Sequence, residues 1–352
     1  MKKIRIGAVN WDASLPRDHY FGFYQTRSLS QAKYRSWVPY YATLTGEDRV
    51  EYSYRTVEEY ERELRYALAA GIDYFAYVWY PTEGSLIHEP RSPRDCSHRV
   101  HELNYARRLY QQSGLKDRLG MCAILGAHPF ADRDLEELTA TFLQPYYEKV
   151  EGRPLVYVFG GYNKELIERL HSLCNKKGIP APFTVPLSSR SRPFPEAMPL
   201  ADALSAYAAV NRTDVTDYEE LVLLAMENDR GRMETGKDIV PLFTVGWNPA
   251  PRIDRPTPWN TNEQGRTTYA TVRYAPRPNA TQLAEGAKAF AKHIRTDVGE
   301  RFVGHILTFA WNEFEEGGYL CPTYTPEGAI NEEQVQAFAQ AAEILRSSLE
   351  ER

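Results

Sequence analysis

Short runs of apolar, β-branched and aromatic residues alternate along the chain with segments whose apolar positions recur every three or four residues. The runs Ile4–Asn10, Tyr74–Trp79, Leu119–Leu125, Leu155–Phe159, Phe183–Leu187, Ala203–Ala208, Ile239–Val245 and His305–Ala310 predict eight strands. Several lack polar alternation, the mark of strands covered on both faces. In Val57–Ala70 the residues Val57, Tyr60, Leu64, Ala67 and Leu68 form one stripe, which predicts an amphipathic helix. Thr56 and Glu59 supply a capping box at its start and Gly71 a stop. The same reasoning predicts helices over Val100–Ser113, Leu135–Val150, Lys164–Lys177, Asp217–Asn228, Ala280–Thr296 and Glu332–Leu349. Ser188–Leu200 is polar, bears proline and has no helical period, so one helix of an ideal eight is expected to be reduced.

Eight strands alternating with about seven helices, without linker, composition break or repeat, predict one (β/α)8 TIM barrel of α/β class over residues 1–352. A doubly wound open sheet is the rival. Its Gly-rich turn is missing after the first strand, where Asn10-Trp11-Asp12-Ala13 stands instead. The segments following strand ends are long: Trp11 to Thr56, Tyr80 to Arg99, and Gly246 to Asn279. They carry Tyr20, Phe21, Trp37, Tyr40, Tyr41 and Trp259 besides aromatics at the strand ends themselves. The connections after helices, such as Gly71-Ile72-Asp73, are short. This asymmetry predicts long loops, and the functional site, at the carboxyl face of the barrel.

Composition narrows the classes. In 352 residues, 42 Lys and Arg stand against 47 Asp and Glu, a net charge of −5 with no long basic run. That balance speaks against nucleic acid or an anionic membrane surface as the main partner. No stretch approaches the ~18 apolar residues of a membrane helix, so no membrane insertion is expected. Residues 1–10 turn polar too soon for a signal-peptide core, leaving either a cytoplasmic protein or one whose leader was removed. Cys96, Cys122, Cys174 and Cys321 share no CxxC spacing and predict neither a disulfide framework nor a zinc site. Cys96-Ser97-His98-Arg99-Val100-His101 has the look of a ligand set but opens a helix, so a cap is expected there. The sequons at Asn211 and Asn279 are short enough to arise by chance. HExxH, EF-hand, P-loop, nucleophile-elbow and dinucleotide patterns are absent, and no metal or cofactor is expected. Tyrosine is abundant, 24 against 14 Phe, with 6 Trp. Rings with one apolar face and one polar tip suit hydroxylated ligands such as sugars.

The sharpest chemical signal is Trp311-Asn312-Glu313-Phe314-Glu315-Glu316-Gly317-Gly318, where the eighth strand meets its loop. Three carboxylates within four residues repel one another unless a cation or a proton relieves them. One carboxyl that keeps its proton beside one that ionises is the arrangement of general acid/base chemistry. With the strand ending at Asn312, Glu313 and Glu316 are expected to face the pocket, Glu315 to face outward, and the two glycines to let the chain bend and a substrate approach closely. The plain alternative is a solvated acidic loop. Trp247, Asn248 and Arg252 follow the seventh strand as a stacking ring, a hydroxyl reader and a ligand or Glu partner; a Pro-rich turn whose Arg pairs a structural acid is the alternative. Trp79 and Tyr80 end the second strand, Trp11 and Asp12 follow the first, and His128 ends the third; sugar contact and core packing both fit them. Tyr157 is expected in the core.

The segment from Trp311 to Gly317 resembles the WNEW-x-EG signature of the WbsX-like proteins and of glycoside hydrolase family 99, the endo-α-mannosidases. Two further segments resemble the WbsX-like pattern in the same order. Gly71-Ile72-Asp73-Tyr74-Phe75 through Trp79 looks like its second strand, and Trp247-Asn248-Pro249-Ala250-Pro251-Arg252 like its seventh. Phe314 stands where the signature has its second Trp, and Glu315 puts a third acid at its variable position. The resemblance implies a (β/α)8 barrel acting on oligosaccharides or polysaccharides, retaining in the hydrolase family. Glu313 would deprotonate the sugar's own 2-hydroxyl and Glu316 would protonate the leaving oxygen. Trp311 and Asn312 join the implied substrate-binding set. Two other readings stand beside it: a WbsX-like glycosyltransferase of polysaccharide synthesis, and a carbohydrate-binding barrel without catalysis.

Overall fold

The computed structural model describes residues 3–46, 48–82, 97–160, 162–188, 198–209, 215–262, 264–269 and 274–350. All eight predicted strand regions contribute to a parallel barrel: β1 (Arg5–Asn10), β2 (Tyr74–Trp79), β3 (Gly120–Leu125), β4 (Arg153–Val158), β5 (Phe183–Pro186), β6 (Ala203–Leu204), β7 (Asp238–Ile239 and Leu242–Thr244) and β8 (His305–Phe309). β1 lies between β8 and β2, Gly7 pairing with both Leu307 and Tyr74. The ladder runs on through β3 and β4 to β5, and β7 flanks β8 on the other side. β6 closes the ring. Its two residues pair with Asp238 and Ile239, while Ser205 bridges Leu187 at the end of β5. β7 is split at Val240 and Pro241 because proline has no N–H for a continuous ladder. The expected strand over Ala203–Ala208 therefore keeps only its first two residues in regular pairing; the remainder turns over the carboxyl face.

Nine helices are described: α1 (Tyr20–Leu29), α2 (Val57–Ala69), α3 (Tyr105–Gln112), α4 (Asp132–Phe142), α5 (Lys164–Lys176), α6 (Tyr218–Met233), α7 (Ala250–Asp254), α8 (Ala280–His293) and α9 (Glu333–Glu350). Seven follow barrel strands as the covering layer; α1 and α7 lie inside the long loops after β1 and β7. Among the described residues, no helix stands between β5 and β6. The capping box of α2 forms, with Glu59 N donating to Thr56 Oγ1 at 3.2 Å and Thr56 N to Glu59 Oε2 at 2.9 Å. Asn279 and Gln282 form a second capping box on α8, and Asn163 caps α5 by accepting from Leu166 N at 3.0 Å.

Three helix expectations need correction, the first being Asp217–Asn228, which has Asp217 as its cap and runs on to Met233. Val100–Ser113 begins as a 3-10 turn over Ser97–Asn104 and is α-helical only from Tyr105. Asn104 is bound on both sides to the Tyr80 backbone, which fixes the turn against the end of β2. Leu135–Val150 starts earlier, at Asp132, since Asp134 accepts from Ala131 N at 2.9 Å. It ends at Phe142, ahead of Pro145, which the helical pattern cannot contain; Lys149 and Val150 then form a short hairpin with Arg153 and Pro154.

The interior is packed with tyrosines whose hydroxyls meet one another. Tyr74 and Tyr157 share a hydrogen bond of 2.9 Å, so Tyr157 is a core residue with its polar tip satisfied. Beneath them, at the amino-terminal face, Glu148 accepts from Arg5 at 2.9 and 2.6 Å and contacts His305 Nε2 at 2.9 Å. Arg5 and Arg346 both reach Asp73. This charged plug closes one end of the barrel and leaves the other for chemistry. Among the described residues, no helix is long and apolar enough to cross a membrane.

Candidate active site

The residues after β8 are sorted by the pleat. Trp311 turns outward and is fully buried against Phe75, its Nε1 donating to Glu63 Oε1 at 2.9 Å; Glu63 is itself ion-paired to Arg55. Asn312 clamps β1, accepting from Trp11 N at 2.8 Å and donating to Trp11 O at 2.8 Å. Glu313 then projects over the barrel mouth, and a 3-10 turn over Phe314–Glu316 brings Glu316 to the same side. Gly317 ends that turn at φ +66°, where a Cβ would lie 2.8 Å from Asn248 N. Asn248 N donates to Glu316 O at 2.7 Å. A Cβ on Gly318 would meet the Phe309 ring at 2.3 Å. The two glycines let the chain bend, as expected at Gly317, and serve the packing of this loop onto β7 and β8.

Glu313 and Glu316 line a cavity of about 460 Å³ at the carboxyl face. Trp11, Tyr80, His128, Trp247 and Arg252 line it too, together with Phe21, Phe159, Tyr207, Trp259, Asn260 and Tyr269. The walls are aromatic. Trp11 meets Trp259 edge-on at 5.7 Å and donates through Nε1 to Tyr80 Oη at 2.8 Å. Phe159 and Tyr207 lie 4.5 Å apart. Among the described residues, the indole nitrogens of Trp247 and Trp259 are buried and have no hydrogen-bond partner.

One cation serves three carboxylates. Arg252, buried, donates through Nη1 to Glu316 Oε1, while its Nη2 lies 3.6 Å from Glu313 and 3.7 Å from Glu315. Burial opposes its charge, but Glu316, Glu315 and Glu313 together hold its pKa above the ordinary value. Tyr269 adds a second donor to Glu316 Oε1 at 2.9 Å, and Tyr207 donates to Glu313 Oε1 at 2.6 Å. Burial, with the charge of Glu316, pushes Glu313 up to about 8 against the pull of Arg252 and Tyr207. Glu315 is fully buried behind the pair and does not line the cavity; burial raises it as well. His128 is kept neutral by burial.

Of the expected binding residues, Trp11, Tyr80, His128, Trp247 and Arg252 meet Glu313 and Glu316 at one cavity, and five others do not. Trp79 faces the helix layer with the Arg107 guanidinium 3.5 Å over its ring. Trp311 and Asn312 belong to the scaffold just described. Asn248 lies outside the cavity lining, its side chain accepting from Ala250 N at 3.1 Å to start α7. Asp12 sits behind Trp11, accepting from Arg107 N at 3.3 Å. The sequence reading did not select Tyr207, Tyr269 or Gln25. Tyr207 carried a signal, because it lies in the sixth strand run near its carboxyl end. Tyr269 and Gln25 sit deep in loops and carried none. Trp259 was visible only as one aromatic of a long loop. Among the described residues, no group of three or more His, Cys, Asp or Glu could hold a metal ion; Cys96 and Asn211 lie outside the described residues.

These features define a (β/α)8 barrel with an aromatic cavity and a carboxylate pair at its mouth. No family model matches the chain, and no curated protein does. Among solved structures, the chain is similar to an endo-α-mannosidase of glycoside hydrolase family 99 from Bacteroides thetaiotaomicron, in complex with bis-tris propane. The TM-score is 0.60 at 12% identity, with 98% of each chain covered. A second structure of a family 99 endo-α-mannosidase from that organism gives 0.53 at 12% identity, covering 86% of this chain and 89% of the other. The fold of this chain is thus the barrel that those hydrolases have.

Proposed function

We propose that this protein is a retaining glycoside hydrolase acting on α-linked, mannose-type glycans, with Glu313 and Glu316 as its acid/base pair. The observation that carries the reading is two buried carboxylates, unlike in their surroundings, at the aromatic mouth of a barrel. One is bonded to Arg252 and Tyr269; the other is pushed up to about 8 and so keeps its proton at neutral pH. Such a pair supplies both a proton donor and an acceptor to an oxocarbenium-like transition state. Trp11, Trp247 and Trp259 line the cavity and offer stacking faces to sugar rings.

The motif gives Glu313 the part of base toward the 2-hydroxyl and Glu316 that of proton donor. One observation favours the exchange of these parts. Glu316 is held by a guanidinium and a phenol, both of which stabilise a carboxylate, whereas Glu313 holds the proton in the unliganded site. The motif also resembles that of WbsX-like proteins often assigned glycosyl transfer, but a nucleotide-sugar diphosphate in this cavity would meet two acidic side chains, Glu313 and Glu316, beside an arginine already committed to Glu316. A carbohydrate-binding barrel has no use for the buried, costly pair.

The test is turnover of an α-mannoside panel by wild-type protein and by Glu313→Gln and Glu316→Gln. Each variant is expected to lose at least 100-fold on a natural oligosaccharide while still binding it, with retention read by NMR of the first-formed anomer. An aryl leaving group that needs no proton restores turnover only to the variant lacking the acid, which separates the two assignments. Undiminished turnover in both variants would end the proposal.

A further inference from the structure

Glu315 occupies the variable place in the motif and has no contact with the cavity, yet it is fully buried. A carboxylate buried at that depth is costly unless it is bonded. Its partners are few. Gln25 Nε2, from α1, donates to Oε2 at 3.2 Å; Arg252 Nη2, from α7, lies 3.7 Å from the same oxygen; Oε1 has no partner among the described residues. Tyr52, Glu316 on its own turn and Glu313 are the other titratable groups that interact with it. Glu313 faces Tyr207, Arg252, Glu316 and, more weakly, Glu315.

The guanidinium is divided between these carboxylates in an uneven way. Nη1 is committed to Glu316. Among the described residues Nη2 has no hydrogen-bond partner, and it stands nearly midway, 3.6 Å from Glu313 Oε2 and 3.7 Å from Glu315 Oε2. A move of about 0.7 Å toward either oxygen would bring it within hydrogen-bond range. Whichever carboxylate wins Nη2 is stabilised in its charged form, and the loser retains its proton. Among the described residues Gln25 donates to Glu315 and not to Glu313, and so weights that contest.

We propose that Glu315 is a positioning residue: held by Gln25, it draws Arg252 Nη2 away from Glu313 and so leaves the proton on Glu313 in the unliganded site. The inference rests on the hydrolase reading for its purpose, a proton donor charged before substrate arrives, but not for its test. The groups involved can be titrated without any turnover.

The experiment is a 13C NMR titration of Glu side-chain carboxyls in wild type, Glu315→Gln, Gln25→Met and the double variant, with Glu313→Gln identifying the Glu313 resonance. Glu315→Gln is expected to lower the Glu313 midpoint by about one pH unit, the effect of one buried charge removed at this range. Gln25→Met, which withdraws the side-chain hydrogen bond that Glu315 accepts among the described residues, is expected to shift it the same way by less, and to add nothing in the Glu315→Gln background. An unmoved or raised Glu313 midpoint in Glu315→Gln, or equal and additive shifts from Gln25→Met, would overturn the proposal. Should Glu315→Gln fail to fold, Gln25→Met decides alone: a fall supports the proposal and no change sinks it. Lack of turnover in the wild type, with these shifts present, would remove the hydrolase reading and leave the positioning role standing.

Discussion

Tyr207 shows how much of this site hangs on single atoms. Its hydroxyl donates 2.6 Å to Glu313 Oε1, and that bond pulls the carboxyl down against burial. Tyr207→Phe leaves the ring against Phe159 and removes only the donor. Glu313 is then expected to rise further, moving its ionisation in the pH profile of kcat/KM to higher pH. A hydrogen bond to a charged group contributes about 1.5–3 kcal/mol, roughly a 10- to 100-fold loss in kcat/KM where the charged form is needed. Steady-state kinetics from pH 5 to 9, with circular dichroism to check folding, would measure both; an unmoved profile would refute the assigned contact. At this scale the sequence was informative about type and poor about direction. Glu313, Glu316 and Arg252 were legible because charge crowded at a strand end demands an explanation. Trp79 and Trp11 looked equivalent, yet the strand pleat sends Trp79 under Arg107 and the loop after β1 returns Trp11 to the cavity. Asn312 and Asn248 were legible as polar groups near the site; their capture by the backbone of Trp11 and Ala250 was not, since it depends on contacts hundreds of residues or a single turn away.

At the scale of elements, the strand runs were legible because burial on both faces leaves an uninterrupted apolar string. Helix ends were legible where a cap is local, as at Thr56 and Asn163, and misread where the limit lies in a tertiary contact, as at Asn104. Pro145 was a local stop that the apolar period of α4 concealed. The turn between β8 and the cavity is the element on which the site depends most. Gly317 has φ +66° and meets the Asn248 backbone, whereas Gly178 has the same φ and open space around its Cβ position. Gly178→Ala therefore carries only the left-handed penalty, about 1–2 kcal/mol of stability, with activity intact. Gly317→Ala adds a backbone collision that must push the Phe314–Glu316 turn away from Asn248. It is expected to lower kcat by at least tenfold as Glu316 leaves Arg252, for a loss of Tm of similar size or somewhat greater. Assaying the two variants side by side separates strain from displacement; equal activity in both would show that the turn tolerates the shift.

Across the whole molecule, the two ends of the barrel place opposite demands on pH. At the amino-terminal face, burial would raise Glu148, but its hydrogen bonds to His305 and Arg5 prevail and hold it below the ordinary glutamate value. A depressed carboxyl contributes stability that is present above its unfolded pKa, near 4.5, and is lost as pH falls through the folded value. At the carboxyl face, Glu313 is raised to about 8, mainly by burial. The sign is then reversed. Its contribution is complete below about 4.5, where both states are protonated, and is lost as pH rises toward 8, because the unfolded chain releases a proton that the folded chain retains. The site is thus maintained at the expense of stability in the pH range where it would work, the pattern of a functional centre supported by the rest of the fold. Glu313→Gln relieves the alkaline loss. The variant and wild type are expected to melt alike near pH 5 and to diverge as pH rises, the variant gaining on the order of a few kcal/mol, several degrees in Tm, by pH 8. Glu148→Gln should do the reverse, losing stability at neutral pH and flattening the acid limb. Calorimetric melts at pH 3.5, 5, 6.5 and 8 would read both limbs. A Glu313→Gln variant no more stable than wild type at pH 8 would mean that the carboxyl is ionised in the folded site, and the acid/base reading would lose its proton.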